Sequence, residues 1–322
     1  VNSRGLKATV LAASTLVATA LMSGGAANAA PQAPLEAQGA TVTHVQVETQ
    51  ESLEAYWTPE RMKNAKPGNT INSQGWAEQG RSVMPKAGAG TLKATPEKKA
   101  APSKRAGSPA PVSHIGKVFF TLGGQNYVCS ANSVQSANQS TVATAGHCTY
   151  DINAGWASKF VFVPAYNNGD APYGMWSATS LHSTSEWISR NDISYDGAFA
   201  VVGPQDGKTL AAAVGASKIG FNLARGLSYT AYGYPAASPF NGETLKSCAG
   251  RASADRFGGT QSQGIPCDMT GGSSGGPWFV GSGSGGTQNS VNSFGYNIQK
   301  NVMYGPYFGS SIQTAYTTAS NR

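Results

Sequence analysis

Ser274 stands in the run Gly271-Gly272-Ser273-Ser274-Gly275-Gly276-Pro277. Glycine on both sides lets the backbone take turns closed to other residues and approach a bound molecule closely. A nucleophilic serine needs that freedom. Its own N–H and that of a nearby glycine must point at the oxyanion that develops on an attacked carbonyl. A Gly/Ser run alone reads as a flexible loop, and Gly281 to Gly286 is read as one. Around Ser274 the apolar Pro277-Trp278-Phe279-Val280 follows at once, so the turn is fixed against a strand.

A serine nucleophile needs a base, and the four histidines are the candidates. His44 lies in an N-terminal region with few clustered apolar residues. His114 lies where that region gives way to strands. His182 sits in a polar stretch and is read as a surface residue. His147, in Thr144-Ala145-Gly146-His147-Cys148, ends a β-type run and neighbours a cysteine that can anchor it. A base must be held rigidly within hydrogen-bond reach, so His147 is the choice. The third member must fix the imidazole tautomer and stabilise the imidazolium. Asp196, leading into the apolar Gly197-Ala198-Phe199-Ala200-Val201-Val202, fits that role better than Asp192. The five residues Gly272 to Gly276 also match the Gly-x-Ser-x-Gly elbow of α/β-hydrolases, but that fold places its acid and His after the serine. No His follows Ser274, so that reading fails.

These residues need a β scaffold, and the chain supplies short β-type runs. They are Lys117 to Leu122, Asn126 to Ser130, Thr141 to Ala145, Lys159 to Pro164, Ala198 to Val202, Leu227 to Tyr234, Trp278 to Val280 and Ser290 to Phe294. Gly, Asn and Ser turns divide them, a pattern of sandwiches and barrels. One short helix is expected over Ser311 to Ala319. Gly occurs 40 times in 322 residues and charged residues make up 12%, as in a turn-rich β protein. The four cysteines, Cys129, Cys148, Cys248 and Cys267, form no Cys-x-x-Cys pair, so zinc and redox readings are weak. Three disulfide pairings are possible. Cys129–Cys148 with Cys248–Cys267 is favoured because each bridge closes a short local loop.

The motifs together resemble those of the trypsin/chymotrypsin-like serine peptidases, over about residues 112 to 322. They carry the same chain order of His, Asp and Ser. The Asp-Met-Thr-Gly-Gly-Ser-Ser-Gly-Gly-Pro-Trp run is most similar to bacterial secreted glutamyl-endopeptidase-like and trypsin-like members. The resemblance implies an all-β fold of two antiparallel β-barrels with a short C-terminal helix. His147 and Asp196 would come from the first barrel (about 112–210) and Ser274 from the second (about 211–322). It implies an oxyanion hole from the N–H groups of Gly272 and Ser274, a substrate-pairing strand at Ser293-Phe294-Gly295, and a bridge Cys129–Cys148 beside the base. It places Asp268, six residues before Ser274, at the floor of the specificity pocket, where an Asp selects Arg or Lys. The bland alternative is that Asp268 caps a turn beside Cys267. Two departures matter. Ser273 stands where trypsin-type enzymes have the Asp that pairs with a new N-terminus. No His follows Ser274 on the substrate strand, so Glu specificity is not expected.

Residues 1–29 read as a secretory signal: Arg4 and Lys7, an apolar run from Ala8 to Leu21, then Ala27-Asn28-Ala29. The run is too short to span a membrane. Residues 30–111 read as a pro-region and linker, with a dibasic Lys104-Arg105. The net charge of +7 invites a nucleic-acid reading, but it concentrates early, with 12 Lys+Arg against 7 Asp+Glu up to Arg105 and 11 against 9 after it. No basic stripe is interleaved with aromatics, so no nucleic-acid partner is expected. The expectation is a secreted zymogen, a serine endopeptidase acting on peptides or proteins, with no cofactor, no metal and no membrane partner after signal removal, as a monomer. The rival is a non-catalytic binding protein on the same scaffold.

Overall fold

The computed structural model describes Val1, residues 39–68 and residues 106–322. The chain divides into units Val1–Ala37 and Gln38–Arg322. Among the described residues, every strand and helix lies in the second unit. The signal segment apart from Val1, and the linker up to Arg105 with its dibasic pair, lie outside the described residues.

Six strands close into the first barrel. Their order is Trp176–Thr184, Ala198–Val202, Thr141–Thr144, Gln125–Val134, Ile115–Leu122 and Ser158–Pro164. The last returns to the first through Val161↔Ser177 and Phe162↔Trp176. Aromatic and β-branched residues suit a pleated surface buried on one or both sides. Here Val118, Phe120, Val142, Phe160, Phe162, Leu181 and Phe199 fill the interior with no exposure. The expected C-terminal helix is present at Ser310–Ser320. It belongs spatially to the first barrel, because Ile312, Ala315 and Ala319 join that barrel's core.

The second half curls two sheets around one core. One sheet runs Lys218–Ile219, Thr287–Val291, Pro277–Val280, Ser228–Gly233, Lys246–Arg251, and the other Ser253–Ala254, Gln263–Pro266, Val302–Gly305. Tyr229, Ala231, Cys248, Ile265, Trp278 and Met303 from both sheets pack together. The two bridges are Cys129–Cys148 in the first half and Cys248–Cys267 in the second. Among the described residues no helix is long and apolar enough to cross a membrane.

Residues 39–68 are folded onto the first barrel. Thr41–Val45 adds an antiparallel strand to Ser180–Thr184, and Lys66–Pro67 pairs in parallel with Tyr127–Val128. Two short helices lie between, Gln50–Tyr56 and Pro59–Lys63, with Thr49 and Thr58 as side-chain N-caps. Leu53 and Trp57 are 2% exposed, and Trp57 Nε1 donates to the Lys159 carbonyl at 2.7 Å. The region's sparse apolar residues therefore hid a docked segment. The lone Leu53 and Trp57 need no cluster of their own, because the barrel supplies it.

His182 is not a surface residue. It is fully buried on Trp176–Thr184, a strand the β-type runs did not include. Ser177, Ser180, Ser183 and Thr184 on that strand are buried too. Their hydroxyls masked the hydrophobic alternation that marks a strand.

Candidate functional site

The strand Thr141–Thr144 ends in a single 3₁₀ turn, Gly146–Cys148, that carries His147. The Cys129–Cys148 bridge ties this turn to the neighbouring strand Gln125–Val134. Asp196 closes another 3₁₀ turn, Ile193–Tyr195, just before Ala198–Val202. Antiparallel pairing of Ala198–Val201 with Thr141–Thr144 brings the two turns together. His147 Nδ1 lies 2.8 Å from Asp196 Oδ2, and the His147 backbone N–H donates to Asp196 Oδ1 at 2.8 Å. Both side chains are fully buried. Ser293 Oγ donates a short hydrogen bond to Asp196 Oδ2. The carboxylate is thus held by three donors, which fixes the imidazole with Nδ1–H toward it. Gly146 is required by space, since a Cβ there would come within 2.9 Å of Asp196 Oδ1 and of the Trp187 ring. Asp192, the alternative acid, accepts from Ser194 N–H instead and lies 4.0 Å from exposed Arg190.

Ser274 is 4% exposed. Its carbonyl accepts from Ser130 N–H at 2.7 Å, across from the second half to the first. A Cβ on Gly275 would collide with Thr144 Oγ1, the Ser130 carbonyl and Ala145 N, so the serine loop lies against the residues that lead to His147. Gly272 has φ +94° and Gly275 φ +79°, conformations that favour glycine. The N–H groups of Ser273, Gly275 and Gly276 donate to Thr270, Asn292 and Ser273 carbonyls. Among the described residues those of Gly272 and Ser274 donate to no protein acceptor. Asn292, fully buried, pins the loop: its Nδ2 donates to the carbonyls of Ser273 and Tyr232, and its Oδ1 accepts from Trp278 Nε1. Ser130 and Asn292 were not foreseen, because a polar residue inside a strand gives no sign of which loop it will hold.

Ser293, Phe294 and Gly295 follow the strand Thr287–Val291. Phe294 stacks on Tyr304 at 5.1 Å and packs with Ile193, which lies in the turn that Asp196 closes. Tyr296 adds an edge contact to both rings, and its hydroxyl donates to Asp255. Burial and Asp255 push Tyr304 up to about 12. Asp268 is half-buried, and its Oδ1 accepts from Ala106 N–H at 2.8 Å. Gly107 then bridges Ser247, one residue before Cys248, and the bridge to Cys267 closes the ring. His114 faces Asn132 at 2.7 Å, and burial lowers its pKa. His44 stacks on Trp156. Cys129, His147 and Cys148 come close enough to suggest a metal, but both sulfurs are spent in one disulfide and offer no thiolate.

No family model matches the chain. Solved structures do. Protease Anisep from Arthrobacter nicotinovorans is 58% identical, with TM-score 0.65, over 67% of this chain and 99% of that one. A thermostable serine protease, AL20, from an extremophilic microorganism is 56% identical, with TM-score 0.64, over 66% and 99%. A Glu endopeptidase solved with MPD shares the fold at 20% identity, TM-score 0.53. The chain belongs to the chymotrypsin-like serine proteases, a family of serine endopeptidases. Among curated proteins, 59 residues match the Extracellular metalloprotease of Bacillus subtilis (strain 168) at 42% identity, 18% of this chain and 19% of that protein.

Proposed function

We propose that this endopeptidase hydrolyses peptide bonds through an acyl-enzyme, with Ser274 as nucleophile, His147 as base and then acid, and Asp196 holding His147. The observation that carries the reading is the buried His147–Asp196 pair at 2.8 Å, set against the glycine-flanked loop of Ser274. Asp196 keeps Nδ1 protonated, so Nε2 takes the serine proton and passes it to the leaving amine. The N–H groups of Gly272 and Ser274 receive the oxyanion. Substrate backbone pairs along Ser293-Phe294-Gly295. The Ala106 contact on Asp268 favours a structural role for that carboxylate over selection of Arg or Lys.

The same reading includes export and maturation. The signal-like N-terminus and two buried disulfides support secretion. The stretch from Ala106 to Arg322 is two thirds of the chain, the share over which both close structural relatives match along 99% of their length. That supports a mature enzyme beginning near Ala106. A fluorophosphonate probe tests the catalytic reading. Labelling of the processed protein, lost in Ser274→Ala, is expected. Absence of labelling would leave the scaffold as a binding protein.

A further inference from the structure

Lys117 is 2% exposed on the first barrel, yet among the described residues no carboxylate lies within 4.0 Å of its ammonium. An ammonium taken out of water needs compensation. It receives this from the Gly242 carbonyl at 3.0 Å and from the faces of Tyr166 at 4.1 Å and Phe119 at 5.0 Å. Gly242 closes a loop: its N–H donates to the Pro235 carbonyl at 2.7 Å, and Phe240 N–H donates to Ala237. From the other end of that loop, Ala236 N–H and Ala237 N–H both donate to the Gly271 carbonyl, at 2.6 and 3.2 Å.

The Gly271 carbonyl and the Gly272 N–H belong to one planar trans peptide, so holding the first aims the second the opposite way. Gly272 is also wedged, since a Cβ there would lie 2.7 Å from that of Ala236. Lys117 reaches the same loop by a second route. Its cross-strand partner is Ser130, whose Oγ accepts from Tyr234 N–H and donates to the Gly272 carbonyl at 2.9 Å.

We infer that Lys117 is a positioning residue for the oxyanion hole: its caged ammonium ties the 235–243 loop to the first barrel, and that loop orients the Gly271–Gly272 peptide. The inference rests on the reading of Gly272 and Ser274 as oxyanion donors. Burial lowers Lys117 to about 8, partly offset by Glu243. Tyr166, whose ring the ammonium faces, and Tyr234, edge-on to Tyr166, are both pushed up by burial. Tyr166 also donates to Glu243, so neither tyrosine ionises where Lys117 does.

The test compares Lys117→Met, Lys117→Arg and wild type, each made as the full precursor and processed. Losing one oxyanion donor costs about 10²–10³ in rate, and loosening its aim less. The expected result is a kcat about tenfold lower in Lys117→Met, with KM nearly unchanged and a peptide aldehyde bound about tenfold more weakly. Wild-type kcat should fall as pH rises through about 8, and that limb should be absent in Lys117→Met and moved upward in Lys117→Arg. Because the folded state holds Lys117 below its ordinary pKa, neutralising it relieves a buried charge, and the melting temperature should not fall. A Lys117→Met enzyme with wild-type kcat overturns the inference. Should that variant not fold, wild-type kcat and wild-type aldehyde affinity in Lys117→Gln overturn it. Ser274→Ala separates the two layers. If it stays active, Ser274 is not the nucleophile, and the placing of the oxyanion at Gly272 and Ser274 fails with it. If it is inactive while Lys117→Met behaves as wild type, only the role of Lys117 falls.

Discussion

Two fully buried imidazoles sit in the first barrel, and their surroundings differ in one respect. His147 has a carboxylate at Nδ1, Asp196, itself held by Ser293 and by the His147 N–H. Among the described residues His182 has hydroxyl partners alone, Thr43 Oγ1 at Nδ1 and Ser180 Oγ at Nε2, each at 2.9 Å. Burial without a counter-charge lowers His182 to about 4, with Arg322 adding to the shift. Such a ring is a neutral cross-link. A carboxylate behind the ring holds the imidazole in one tautomer and orientation, and this is what proton shuttling needs. The comparison also separates two jobs of the barrel. Under the proposed mechanism one histidine moves the serine proton, while the other fastens residues 39–68, since Thr43 belongs to that segment.

The comparison breaks first on activity. Ser274→Ala and His147→Ala should each lower turnover by several orders of magnitude, on the order of 10⁶, with the double variant little worse, because residues sharing a proton do not act additively. Strictly additive losses in kcat would deny the shared proton. Next, Asp196→Asn should lower kcat by about 10⁴ while the far-ultraviolet spectrum stays unchanged, since the amide favours the wrong tautomer. Asp192→Asn should change kcat less than twofold, roughly, as its carboxylate serves a turn. A large loss in Asp192→Asn and not in Asp196→Asn would reverse the assignment.

His182 should matter for pH-dependent stability and not for turnover. In the folded precursor it titrates near 4, and in the unfolded chain near its ordinary value of about 6.5. Between those values the unfolded chain holds the extra proton, so its contribution is complete above about 6.5 and is lost as pH falls toward 4. Melting temperatures of the precursor across that range should decline in wild type and less in His182→Gln. An identical decline in both would mean that His182 is not the titrating group. The smallest effect is expected at Asp268. Asp268→Ser should leave the ratio of cleavage after Arg to cleavage after Phe unchanged in matched substrates. A collapsing Arg preference would return Asp268 to the pocket.

Much of the fold was legible in the sequence because strands with aromatic or β-branched faces announce themselves. Ala198–Val202 was bounded as found, and Ile115–Leu122 and Ser158–Pro164 within two residues. Both disulfides followed from local loop closure. Trp176–Thr184 escaped because its buried hydroxyls and His182 look like surface. Lys246–Arg251 and Val302–Gly305 escaped because glycine within them reads as turn. At the candidate site, residues adjacent in sequence to a motif were readable. Ser130, Asn292 and Lys117 act on loops far along the chain, and only pairing reveals such partners.

Neither disulfide joins the two halves. Cys129–Cys148 stays with the strands that carry His147, and Cys248–Cys267 with those that lead to Ser274. Apart from the main chain, the described residues of the two halves meet through packing and hydrogen bonds, among them Ser130 N–H to Ser274 and the C-terminal helix reaching back into the first core. The molecule is therefore suited to division into two fragments cut in the exposed turn near Arg225-Gly226. One fragment would bring the proposed base and acid, the other the nucleophile and the helix that clasps its counterpart. Neither would hydrolyse a substrate alone, so regained turnover would serve as a reporter of fragment complementation.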